Sequence, residues 1–179
     1  MLCLPLSKSS WPEGRFGSEK YQDYYRIVKI SIDLLNENKI DKILLLSDFK
    51  GRKANKSELE NMIDVCKKYK VDESKLQIKK YCYDTLSQIK FTLDLCNKEK
   101  QDLLIISSVT HYPRVRWIAY RVNKKYNINI KHKIGWGIPR IHDFVYDIPL
   151  IFMYPILDLL GYSDRFSQVV KVRRDDGYL

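Results

Sequence analysis

Residues 107–114 read Ser-Ser-Val-Thr-His-Tyr-Pro-Arg, which places three aliphatic hydroxyls, one imidazole and one guanidinium within eight positions. Hydroxyls donate to phosphate or carboxylate oxygens, and a guanidinium grips either group with two parallel hydrogen bonds. Imidazole titrates near neutrality in its unperturbed state, so His111 is the general acid–base candidate if a reaction occurs here. Arg114 would stabilise negative charge. Hydroxyls after strands are commonly helix caps, and a lone loop histidine is more often a surface or backbone-bonding residue. Two consecutive serines exceed what a cap needs. Ser107, Ser108, His111 and Arg114 therefore form the centre of the candidate site.

The elements that must position these groups are legible around them. The apolar run 103–106 predicts a buried strand, and Val115, Ile118, Ala119, Val122 and Tyr126 repeat at helical spacing behind it. Upstream, 1–6 reads as a first strand, with Pro5 suggesting a sheet edge or a strand end. Ser18 is the expected cap of a helix ending near residues 36–38. The run 43–46 is a second strand ending at Ser47 and Asp48. Ser57 and Glu60 form a capping box for a second helix, in which Glu58 reads as a first-turn residue facing the helix dipole. A weaker strand at 76–78 leads to a helix capped by Asp84 or Thr85, and 129–133 gives a fifth strand. Strands alternating with helices predict an α/β fold, a doubly wound, mainly parallel sheet of about five strands. All strand C-termini then share one edge, which brings Ser47, Asp48, Asp84 and Thr85 to face the serines and His111. The expected core spans 1–134. Residues 135–179 are a C-terminal helical addition within the same single domain, helical over 144–160 with breaks at Pro149 and Pro155, then a polar tail with a short strand.

Composition bounds the alternatives. The 179 residues carry a net charge of +10, which favours an anionic partner. However, 22 lysines against 10 arginines is also the signature of AT-rich coding, and no compact basic block occurs. The alternative of a nucleic-acid-binding protein would use the basic face of the fourth helix and the Lys50-Gly51-Arg52-Lys53 loop. A further alternative, a membrane-surface or envelope-related interaction protein, would use the apolar window 148–157. That window is too short to span a bilayer. No secretory signal pattern precedes the first strand, so a cytoplasmic location is expected. Cys3, Cys66, Cys82 and Cys96 form no C-x-x-C pair and read as buried, reduced thiols. No metal site is required by the spacing of histidines, cysteines and carboxylates, although Asp48, Asp84 and His111 could approach one another. His132 and His142 read as surface or packing residues. Dinucleotide, P-loop and nucleophile-elbow glycine signatures are missing from the sequence.

The block 107–114 resembles the T-S-x-x-H-x-x-R signature of the YdcF/SanA/ElyC-like proteins, a bacterial domain family of largely unknown function. Tyr83-Asp84-Thr85-Leu86-Ser87-Gln88 is similar to that family's S-x-N/D-T-x-E/Q-N motif. Ser57-Glu58-Leu59 resembles its S-E-A helix start, Leu46-Ser47 its S-G strand end, and Arg26 an arginine of its first helix. The resemblance covers roughly residues 20–150. The chain departs from the pattern at Leu6-Ser7-Lys8-Ser9, where the family is glycine-rich, at Asp48, where it has glycine, and near Lys79-Lys80, where it has an acidic residue. The resemblance implies a Rossmann-like fold and a pocket at the strand ends. It also implies a small anionic or nucleotide-like ligand, such as S-adenosylmethionine or a phosphorylated metabolite. It supplies no reaction. On the sequence, Arg114→Ala should weaken ligand binding in a ligand screen and leave the fold intact.

Overall fold

The computed structural model describes residues 1–7, 22–47, 56–80, 82, 84–137 and 141–175. Five strands, β1 (Leu2–Leu6), β2 (Lys42–Leu46), β3 (Leu76–Lys79), β4 (Leu103–Ser108) and β5 (Ile130–Gly135), form one sheet in the order β3-β2-β1-β4-β5. Every pairing is parallel. The helices are α1 (Asp23–Asn36), α2 (Glu58–Lys68), α3 (Thr85–Glu99), α4 (Tyr112–Asn123), α5 (Ile141–Leu159) and α6 (Ser163–Asp175). This is the expected Rossmann-like, doubly wound α/β arrangement.

The continuous apolar strands are explained by the layers. Successive strand residues point to opposite faces, so a strand covered on both sides must be apolar throughout. Leu2, Leu4 and Leu6 pack with Leu103 and Ile105 beneath α3 and α4, while Cys3, Leu104 and Ile106 pack beneath α1 and α2. The edge strand β5 instead alternates, with Lys131 and Lys133 exposed, which discourages pairing with another chain.

β1 is the central strand, so Pro5 does not mark a sheet edge. The Leu2 N–H bonds the Asp102 carbonyl on the β4 side. By alternation the nitrogen of Pro5 faces β2. The β1–β2 register stops at Leu2↔Lys42 and Cys3↔Ile43, while β1–β4 continues to Leu6↔Ser107. Pro5 is the penultimate residue of β1, so it marks a strand end, and the β1–β2 ladder stops short of it.

Other departures lie at helix ends. Ser18 lies outside the described residues, and α1 begins after Gln22, which makes no side-chain cap. Ser57 and Glu60 do form the capping box of α2, and Asp84 with Ser87 forms another on α3. Pro149 and Pro155 both lie inside the single helix α5 rather than breaking it, and the expected polar tail is mainly helix α6.

All four cysteines are free and buried. Burial pushes the Cys3 thiol up to about 12 and those of Cys66, Cys82 and Cys96 up to about 11. A thiolate is the reactive form, so these thiols should be inert in the folded chain. Titration with a thiol-specific disulfide reagent at mildly alkaline pH should label none quickly in native protein and four after denaturation. Fast labelling of any native thiol would contradict this burial.

Candidate functional site

In the order β3-β2-β1-β4-β5, the chain winds one way from β1 and the other way from β4. The ends of these two strands are therefore the topological switch point, the place where open α/β sheets form a binding crevice. Ser107 closes the register beside Leu6, and Ser108 follows at the last position of β4. Both serines are buried, and neither hydroxyl has a hydrogen-bond partner among the described residues.

The turn after β4 is tight because the His111 N–H donates to the Ser108 carbonyl at 3.1 Å. His111 is the N-cap of α4 by position, without a side-chain cap bond, so its ring is not spent on its own helix. Instead Nε2 lies 3.1 Å from the Thr85 hydroxyl, the first residue of α3. His111 is only 2% exposed. Hence the N-termini of α3 and α4 meet at the imidazole. Asp84 caps α3 through one oxygen, Oδ1, which accepts from the Ser87 N–H at 2.8 Å. Its other oxygen, Oδ2, is buried without a partner among the described residues. Asp84 is therefore a cap with half of its carboxylate to spare.

Arg114 lies one turn along α4. Sequence reasoning left open whether it belonged to a solvated basic face. It is largely buried, with a guanidinium nitrogen 3.6 Å from Asp147 of α5 and its plane over the Tyr154 ring at 5.9 Å. Burial pulls the guanidinium below its usual range, opposed by the negative charge of Asp147, by Tyr154 and by Asp84. Asp147 Oδ2 also accepts from the Thr110 hydroxyl at 2.9 Å. Asp147 was missed as a site residue. The signal was available, because a carboxylate at the border of the most apolar window of the chain is buried only with a charge partner. Arg121 similarly pairs with Asp158 of α5 at 2.5 Å. Two of the basic residues of α4 thus face inward, which weakens the nucleic-acid reading. Its other element, the loop 50–53, lies outside the described residues.

Ser47 belongs to a second group on the same edge. Its hydroxyl donates to Glu58 Oε2 at 2.9 Å, and Ser7 at the end of β1 donates to Glu58 Oε1. Glu58 is buried at the start of α2, so it does more than face the dipole as an exposed first-turn residue would. The Gln88 side-chain amide adds a bond to the Leu46 carbonyl at 3.1 Å. Arg26 stands apart. It is paired with Asp23, and its guanidinium packs so closely on Gly137 that a Cβ there would overlap it. Asp48 lies outside the described residues. His132 packs edge-on against Tyr112, and burial and Arg116 hold its ring below the usual imidazole range.

Among the described residues no three histidines, cysteines or carboxylates are grouped to hold a metal ion. No family model, curated protein or solved structure matches the chain.

Because Arg114 and Asp147 are both buried, Asp147→Ala should leave an uncompensated charge and cost about 3–5 kcal/mol. Arg114→Ala should be destabilising for the same reason, which corrects the expectation that it leaves the fold untouched. Denaturant unfolding measures both. A loss below about 1 kcal/mol for Asp147→Ala, the range of surface pairs, would show that the contact is not structural.

Proposed function

We propose that the chain is a YdcF/SanA/ElyC-like domain that binds a small anionic or nucleotide-like ligand between the ends of β1 and β4. S-adenosylmethionine and phosphorylated metabolites fit this class. The observation that carries the reading is a concentration of spare, buried hydrogen-bonding capacity. Ser107 Oγ, Ser108 Oγ, Asp84 Oδ2 and Arg114 Nε are all buried without a partner among the described residues. Each such group costs roughly 1–3 kcal/mol when left unsatisfied, so four around one crevice are best explained by something that binds them.

The mixed polarity narrows the class. Arg114 and the N-termini of α3 and α4 favour a carboxylate or phosphate. Asp84 Oδ2 accepts only, so it favours an amine or a sugar hydroxyl and repels a bare phosphate. A ligand bearing both an anionic end and donors satisfies both sides. His111, held by Thr85, is the group placed to move a proton if the ligand is transformed.

A thermal-shift series with nucleotides, S-adenosylmethionine and sugar phosphates tests this. A ligand at about a hundred times its Kd adds ~2.7 kcal/mol, several degrees of Tm at this chain length. Ser108→Ala and Arg114→Lys should each weaken binding by about tenfold, since a charge-assisted bond contributes roughly 1.5–3 kcal/mol. Lysine preserves the charge beside Asp147 and loses the planar fork, which separates binding from stability. No shift with any member of the series, or shifts equal to wild type in both variants, would sink the reading.

A further inference from the structure

The net charge is not spread along the chain. Residues 103–142 contain eight lysines and arginines and no aspartate or glutamate, so they hold +8 of the +10. The remaining residues carry 24 lysines and arginines against 22 aspartates and glutamates and are nearly neutral. AT-rich coding raises lysine throughout a chain. It does not clear carboxylates from one stretch.

Helix α4 divides these charges between two sides. Arg114 and Arg121 turn to α5, where Asp147 and Asp158 neutralise them. Tyr112, Arg116, Tyr120 and, at the C-cap, Lys124 recur every four residues and share the other side. That side lies along β5. The Tyr112 ring meets His132 edge-on at 5.9 Å, and burial together with the charge of Arg116 holds the His132 ring below the usual imidazole range. β5 is an edge strand, and its Lys131 and Lys133 are exposed. Among the described residues Arg116, Lys124, Lys131 and Lys133 pair with no carboxylate, whereas Lys29, Lys56 and Lys90 elsewhere each do.

Aromatic rings lie among these cations. Trp136, directly after β5, is 74% exposed, and Tyr120 is 61% exposed. The Lys124 ammonium sits 5.0 Å from the centre of the Tyr120 ring. Unpaired cations beside exposed rings match a single-stranded nucleic acid, whose phosphates meet the lysines and whose bases stack on the rings. A duplex keeps its base faces covered, and an acidic peptide offers charge without flat faces. An anionic membrane calls for apolar side chains next to the cations. The exposed apolar residues of α5 lie across α4 from them.

We propose that the rim formed by α4 and β5, with Arg116, Tyr120, Lys124, Lys131, Lys133 and Trp136, binds single-stranded nucleic acid. It uses none of the residues assigned to the small-ligand crevice, so each reading stands if the other fails.

Fluorescence anisotropy of the full chain with short, labelled RNA and DNA strands of mixed sequence tests it. Wild type should bind one or both at low salt, more tightly than the matching duplex. Log affinity should fall with log salt by about 0.7 for each phosphate contacted. Lys131→Glu/Lys133→Glu should weaken binding at least tenfold, and Trp136→Ala about tenfold through lost stacking. The control Lys79→Glu/Lys80→Glu makes the same change of net charge at β3, the opposite edge of the sheet, and should alter affinity less than twofold. All these side chains are exposed, so each variant should keep the wild-type circular dichroism spectrum. Failure to bind either strand overturns the proposal, and if phosphatidylserine vesicles are then retained through Lys131 and Lys133 the rim belongs to lipid. Tighter binding of the duplex, equal affinity for poly-glutamate, equal losses in the two charge-reversed variants, or wild-type affinity in Trp136→Ala overturns it as well.

Discussion

The structure depends on one constraint. A parallel strand buried on both faces can carry polar groups only where it ends, and every strand of the sheet ends on the same side. β1, β2 and β4 are sealed between helix layers, so Leu2–Leu6 and the apolar part of β4 have no room for chemistry. Ser7, Ser47, Ser107 and Ser108 mark the places where that prohibition lapses. The burial of Ser47, Ser107 and Ser108 is then unusual, because polar groups at strand ends normally reach water or cap a helix.

The edge resolves this burial in two different ways. At the β1–β2 end, Glu58 takes hydrogen bonds from Ser7 and Ser47, which makes that half largely self-sufficient. At the β4 end the serines keep their capacity, Asp84 commits one oxygen of two, and His111 is steered by Thr85. The contrast between a closed half and a receptive half makes the β4 side, not the whole edge, the candidate site. Sequence reasoning set Ser107 at the centre of the candidate site and Ser47 among the residues facing it, both as strand-end hydroxyls. Only the position of Glu58 separates them.

How much was legible depends on the range of the forces involved. The strands, the capping box at Ser57, the cap at Asp84, and the stripe Leu86, Ile89, Leu93 and Cys96 arise from local spacing, and they stand where they were read. The serine-to-arginine block was found because its members lie in one turn of chain. Asp147 was not found, since its partners Thr110 and Arg114 are more than thirty positions away and nothing local distinguishes it from Asp158. Pro5 was read as a sheet edge or a strand end, and only the strand end holds. A proline's tolerance depends on which neighbour its nitrogen faces, and that is a property of the sheet order rather than of the segment.

The C-terminal addition is consequently part of the site. A boundary near residue 134 separates the alternating strands and helices from the two C-terminal helices, but Asp147 reaches back across it to Arg114 and Thr110. A guanidinium this buried needs a carboxylate nearby to remain charged at low cost. Asp147 provides one while leaving Arg114 Nε without a partner, so the same contact stabilises the cation and keeps part of it receptive. Tyr154, two helical turns further along α5, covers the guanidinium with its ring, which packs edge-on against Phe166 of α6. The position of Arg114 is thus set by the packing of α5 against α4 and of α6 against α5.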